Sequence, residues 1–197
     1  MFSFTRQSPL PVVTLPAGEG FFYANFYAIM AVMKKIVQDG DPVLRGMAEE
    51  VPIEDIKSPK IQKLLQDMSE ALDTQKDGVA IAAPQIGVPL RVFIVSGKLF
   101  DISEDVTSSH PDLVFINPTI TKISKESNTE EEGCLSVVGK YGTVDRASKA
   151  TVRAFNEHGE VFERGGSGLL AKIFQHEIDH LDGILFIDKA ENLHDTK

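Results

Sequence analysis

Two histidines four residues apart, in Gln175-His176-Glu177-Ile178-Asp179-His180, are the residues best suited to chemistry in this chain. On a helix, four positions advance the axis by about 6 Å and return to the same face, so both imidazoles can grip one ion. A single histidine on a half-buried helix is ordinarily a satisfied core residue. The H-E-x-x-H pattern instead carries a mechanism of its own, two metal ligands with a carboxylate between them. Glu177, beside a ligand but not itself one, is expected to take a proton from a water activated by the ion and to hand it to a leaving amine. The ion would lower the pKa of that water towards about 7 and polarise the carbonyl under attack.

A hydrolytic site generally has three protein ligands and a position left for water. Cys134 is the leading candidate for the third, preceded by a glycine that permits close backbone approach, although a lone cysteine is by default a small buried apolar residue. Asp179 and Asp182 compete for the place, with Asp179 pointing away from the face that carries His176 and His180. His110, His158 and His194 fall in loops or the tail and read as surface residues. One cysteine makes no intramolecular disulfide, so nothing indicates an oxidising compartment and the expected location is the cytoplasm.

A chain of 197 residues, 42% apolar and 25% charged, is expected to form one soluble core. Its formal charge of −9 excludes a general nucleic-acid binder, which needs a basic surface to neutralise phosphates. Glu130 and Glu131 read as solvated surface. Residues 1–32 read as an atypical N-terminal extension, disordered or preceding a natural start at Met33. Their apolar stretch is shorter than the roughly 20 residues that span a bilayer; it makes a poor secretory signal, and organellar targeting is a weaker alternative.

Further elements must position the ligands. Asp41-Pro42 caps and starts a short helix through about Met47. Ser58-Pro59 starts another, with Ile61, Leu64, Leu65, Met68 and Leu72 on one stripe. Strands are expected at 79–82, 90–95, 113–116 and 119–123, with a hairpin of 150–156 and 161–164 around His158-Gly159. Ser167 is expected to cap the helix that carries Leu169, Ile173, His176 and His180 and ends near Asp182-Gly183. The fold class is α+β: antiparallel or mixed sheets around the C-terminal H-E-x-x-H helix, a catalytic domain over 33–190 and a tail from 191.

Taken together, Gly78-Val79-Ala80-Ile81-Ala82-Ala83-Pro84-Gln85, Glu132-Gly133-Cys134-Leu135-Ser136 and the H-E-x-x-H helix resemble, in this order, the three motifs of peptide deformylases. The resemblance covers residues 34–188. It implies removal of the formyl group from the N-terminal methionine of nascent chains at the ribosome, with release of formate. It implies one divalent ion, Fe2+ in the cell with Zn2+ as the substitute, held by Cys134, His176 and His180. Glu177 becomes the general acid/base, while Gln85 and the backbone N–H of Leu135 stabilise the oxyanion. The segment from Gly78 to Ile81 becomes the edge along which the substrate lies, and Ile81, Leu169 and Ile173 become walls of the methionine pocket. Glu132 and Arg146 become the ion pair that braces the cysteine loop.

The sequence departs from the family pattern at Ala80, where a second glycine is usual, at Val138, where a proline is frequent, and at Lys172, where the position is often apolar. Ala80 motivates one alternative, a deformylase-like hydrolase that prefers another acylated amine; a second is a non-catalytic metal-binding or ribosome-associated protein on the same scaffold, against which the intact Glu177 and Gln85 favour catalysis.

Overall fold

The computed structural model describes residues 35–100 and 110–195. The expected extension over residues 1–32 lies outside them. Among the described residues eight strands form two antiparallel sheets: β1 (Ala80–Ala82), β2 (Val92–Val95), β3 (Leu113–Ile123), β6 (Lys149–Phe155) and β7 (Val161–Ser167) in the order β1-β2-β3-β6-β7, and β4 (Ser127–Cys134), β5 (Val137–Ala147) and β8 (Glu191–Asp195) in the order β4-β5-β8. Among the described residues two α-helices, α1 (Pro59–Asp73) and α2 (Leu169–Leu181), join these sheets in an α+β architecture.

Strand alternation explains how the larger sheet is covered on both faces. Ala80, Ala82, Phe93, Val95 and Phe115 point to one side and pack with Ile173, Phe174 and Ile178 of α2. Their neighbours Ile81, Val92, Ile94 and Ile116 point to the other and pack with Ile61, Leu64, Leu65, Met68 and Leu72 of α1. The α1 stripe is therefore buried as expected. A central strand covered on both faces has no polar side to show, which is why Val92–Val95 is apolar throughout.

Several local expectations change. The helix after Asp41 is a single 3-10 turn, Pro42–Arg45, capped by the Asp41 carboxylate. The runs at 113–116 and 119–123 are one strand, kinked where Asn117 takes a positive φ and Pro118 has no N–H to donate to the sheet. The Asn117 side chain accepts from Val51 N–H and donates to the Val51 carbonyl, both at 2.8 Å, fixing the kink. Ser167 does not cap α2: it ends β7, and Gly168 makes the corner with φ 54° and ψ −128°, a conformation open to glycine. The supposed tail pairs as β8 through residue 195, along β5.

Candidate metal centre and its pocket

The centre lies where the two sheets and α2 meet. On α2 the fourfold spacing brings His176 and His180 together as expected, their ring centroids 4.9 Å apart. Cys134 arrives from a different part of the chain. It ends β4 at a two-residue turn, Leu135-Ser136, before β5 begins at Val137, and the register slips between Glu132 and Cys134. That slip aims the sulfur at the helix.

Cys134 Sγ stands 3.2 Å from His180 Nε2, and one donor atom from each of Cys134, His176 and His180 lies within 4.8 Å of the other two. Tetrahedral ligands at about 2.3 Å (sulfur) and 2.0–2.1 Å (nitrogen) would be spaced by about 3.3–3.6 Å, so this cluster fits a divalent ion with little adjustment. One soft thiolate and two imidazoles suit iron or zinc.

His176 and His180 are held differently. His176 Nδ1 meets Glu132 Oε2 at 2.9 Å, which directs Nε2 towards the cysteine. Glu132 is gripped in turn by Arg146 through two parallel bonds of 2.9 and 3.0 Å. Burial alone would raise the Glu132 pKa, but the bonds and charges of His176 and Arg146 reverse this and hold it at about 2. Burial would likewise lower that of His176, yet contacts with Cys134 and Glu132 bring it up to about 10. A bound ion must displace that proton. His180, by contrast, has its Nδ1 buried without a hydrogen-bond partner among the described residues, and burial drives its pKa well below the usual value.

Glu177 sits between the two ligands in sequence and lines the cavity beside them. Burial, the largest influence, pushes its pKa up to about 7, and its Oε2 is buried with no partner among the described residues. A carboxyl group poised near neutrality, with a free oxygen at the edge of a cavity, is suited to receive and release protons. Gln85 occupies the 3-10 turn Ala83–Ile86 just after β1. Its Oε1 accepts from Ala82 N–H at 2.8 Å, while its Nε2 is 3.6 Å from Cys134 Sγ and 3.2 Å from Ser136 Oγ. Turn capping and an amide directed into the site are thus two ends of one side chain.

A cavity of about 620 Å³ opens over these groups. Gly78, Val79 and Ala80 form one margin, Leu169, Lys172 and Ile173 another, and Val137 to Tyr141 a third. Among the described residues β1 pairs with β2 alone, which leaves its other edge along this margin.

The family model for polypeptide deformylase matches residues 33–196. The chain belongs to that family. Polypeptide deformylases are metal-dependent hydrolases that remove the formyl group from the N-terminal methionine of new polypeptides. The chain is 45% identical over 164 residues to the peptide deformylase of Carboxydothermus hydrogenoformans, covering 83% of this chain and 97% of that one. A crystal structure of a peptide deformylase from Legionella pneumophila matches with a TM-score of 0.69 and 40% identity, covering 82% of this chain and 88% of that one. A class I type b deformylase from Acinetobacter baumannii, solved with Met-Ala-Ser bound, matches at a TM-score of 0.71 and 33% identity, covering 81% of this chain and all of that one.

For a deformylase site, one wall expected from the sequence must be withdrawn. Ile81 is fully buried against α1 and does not line the cavity, because strand parity turns it away from the face used by Ala80 and Ala82. Leu169 and Ile173 do line it, as do Gly78, Ala80, Gln85 and Leu135. Ala80 takes ordinary strand geometry and is buried, belonging to the core cluster of Val95 and Ile173 while also lining the cavity. Lys172 lines the cavity while its ammonium reaches Glu130 Oε2 at 2.9 Å and the Glu131 carbonyl at 3.3 Å, so Glu130 is not a plain solvated acid.

Asp179 and Asp182 are not ligands. Asp182 pairs with Arg91 at 2.7 Å. Asp179 contacts Arg146 Nη1 at 2.6 Å and Lys189 at 2.7 Å, extending the support to His176–Glu132–Arg146–Asp179–Lys189. Sequence reasoning missed Lys189 and the bracing role of Asp179. The signal available was the i, i+3 offset of Asp179 from His176, which puts it beside the ligand face without being on it. His158 and His194 are exposed as expected, and so is His110.

Proposed function

We propose that this deformylase-family protein binds its ion through Cys134, His176 and His180 and hydrolyses the formamide of N-formylmethionyl chains with Glu177 as general acid/base. The observation that carries this reading is the Glu177 carboxyl, buried beside the three donors with an unpartnered oxygen and a pKa raised to about 7. A divalent ion bound by the three donors supplies Lewis acidity, polarising the formyl carbonyl and making water nucleophilic at neutral pH.

The protein's own groups do the rest. Glu177 takes the proton from the attacking water and passes it to the departing amine nitrogen, releasing formate. The Gln85 amide and the Leu135 N–H donate to the oxygen that becomes negative as the carbonyl carbon turns tetrahedral. The substrate backbone adds along the free edge of β1 at Gly78–Ala80, which leaves the methionine side chain to Leu169 and Ile173. Glu132, backed by Arg146, fixes the His176 ring.

Ferrous iron is our assignment for the cellular ion, with zinc as the substitute that the same donors accept. We assign the protein a cytoplasmic role on chains emerging from the ribosome, with which its relatives' bacterial origin and the formylmethionyl substrate agree. The alternative of a different acyl group rests on Ala80, which lines the cavity. Anaerobic purification with metal analysis, followed by formate release from formyl-Met and acetyl-Met peptides, tests the reading. We expect one ion per chain and hydrolysis of the formyl peptide alone; no formate from the iron-loaded protein would sink it.

A further inference from the structure

The cavity is larger than one methionine side chain requires: about 620 Å³ falls in the range of pockets that enclose drug-sized ligands. Its mouth also gathers exposed apolar side chains. Val79, Val138, Tyr141 and Leu169 are four of the large apolar side chains left exposed among the described residues, and all four line this one cavity. A cluster of that kind marks a binding surface.

Tyr141 is the member with a ring neighbour and a close-lying glycine. Its ring lies over Gly133, so closely that a β-carbon there would come within 2.7 Å of a ring carbon. On its other side, Tyr141 is the register partner of His194 in β8, and the two rings stack with centroids 6.4 Å apart and planes 28° from parallel. The adjacent pair Lys140–Asp195, at 3.2 Å, ties the same two strands. Gly142 completes the arrangement, since a β-carbon there would stand 2.9 Å from Ala190 Cβ and 3.1 Å from the Glu191 carbonyl oxygen. One glycine lets the ring lie down, and the other lets the C-terminal segment lie close.

We propose that Tyr141, held in place by β8, is a specificity-determining side chain that favours an apolar or aromatic residue immediately after the formylated methionine. The inference rests on the deformylation proposed above. If the reacting carbonyl sits at Cys134, His176 and Glu177 and the methionine side chain goes to Leu169 and Ile173, the chain leaves across the mouth, where the next side chain meets an aromatic face. Ring-to-ring or ring-to-aliphatic contact there is released when the second residue is small and polar.

The test compares kcat and KM for formyl-Met-Phe-Ala and formyl-Met-Ser-Ala in the iron-loaded full-length protein and in Tyr141→Ala, Tyr141→Phe and His194→Ala. We expect Tyr141→Ala to reduce the Phe-over-Ser preference in kcat/KM by about 3- to 10-fold, the size of one aromatic contact, through KM. Tyr141→Phe should keep the preference and His194→Ala lose part of it. An unchanged preference in Tyr141→Ala would overturn the assignment, as would an equal fall in kcat for both peptides, the mark of a ring that only supports the cysteine loop. No formate from either peptide with the wild-type protein would overturn the underlying function, and this inference with it.

Discussion

The helix α2 and the β4–β5 hairpin each bring ligands to the same ion, yet they are built on opposite principles. On α2 the spacing of His176, Glu177 and His180 is a property of the helix itself, so geometry follows from thirteen consecutive residues. The hairpin delivers Cys134 through a register slip, a two-residue turn and a buried arginine twelve positions further on, none of which a local pattern specifies. Chemistry is thus carried by a locally determined element and completed by one that depends on the rest of the fold. Substitutions in the two should fail in different ways.

The largest effect belongs to α2. Glu177→Gln should lower formate release by about 10²- to 10⁴-fold while the metal content stays at the wild-type level. Steady-state rates with metal analysis on the same preparation check this. Retained activity would remove Glu177 from its role, and lost metal would blur the division between proton transfer and ligation.

On the hairpin, Glu132→Gln should act on metal retention and stability together. It leaves Arg146 buried without its full partner, a change that typically costs about 3–5 kcal/mol, and it loosens His176, a change typically worth about 10- to 100-fold in metal affinity. The pH dependence has a definite sign. Glu132 is held at about 2 in the metal-free fold, below its unfolded value of about 4.5, so its ionisation contributes stability that is fully present above pH 4.5 and lost as pH falls towards 2. The contribution is roughly 3 kcal/mol at about 1.36 kcal/mol per pH unit. Urea midpoints of the metal-free protein should therefore show the wild type converging on Glu132→Gln as pH drops; a constant gap would mean that the carboxylate is not what Arg146 stabilises.

The same contrast explains what was legible in the sequence. The α1 and α2 stripes are local, and both are buried as their periodicity predicts, with Leu169 alone left exposed at the cavity mouth. Strands β4, β5 and β8 were not visible: 127–134 is nearly all polar, with three acids in eight residues, because Ser127 to Glu131 are exposed on both sides of the strand while Glu130 and Glu132 are matched to partners elsewhere. Cys134 was readable as a ligand only with help from the family resemblance. Ile81 was misplaced because β1 is three residues long, too short for alternation to reveal which face each side chain takes. The Asp179–Lys189 contact had no sequence signal, since it is settled by where the chain turns after α2.

Gly133→Ala sharpens the hairpin's side of the comparison. The atoms it would meet belong to the half-exposed Tyr141 ring rather than to backbone, so the ring can swing away. We expect a stability loss below about 1 kcal/mol with KM for formyl-Met-Phe-Ala raised several-fold. A large fall in the thermal midpoint would show the ring to be locked more firmly than its exposure suggests.

The smallest effect compares one chemical change at two places. Ile81→Val and Ile173→Val each remove a methylene from a buried isoleucine, and each should cost about 0.5–1.5 kcal/mol in urea unfolding. Their kinetic consequences should diverge. Ile81 faces α1, so its change should leave KM for formyl-methionyl peptides untouched. Ile173 belongs to the core on one side and lines the cavity on the other, so its loss should also raise KM, by a factor of a few at about 0.8 kcal/mol per methylene. Equal KM values in the two variants would mean that Ile173 serves packing alone, leaving Leu169 and the Lys172 stem to hold the methionine.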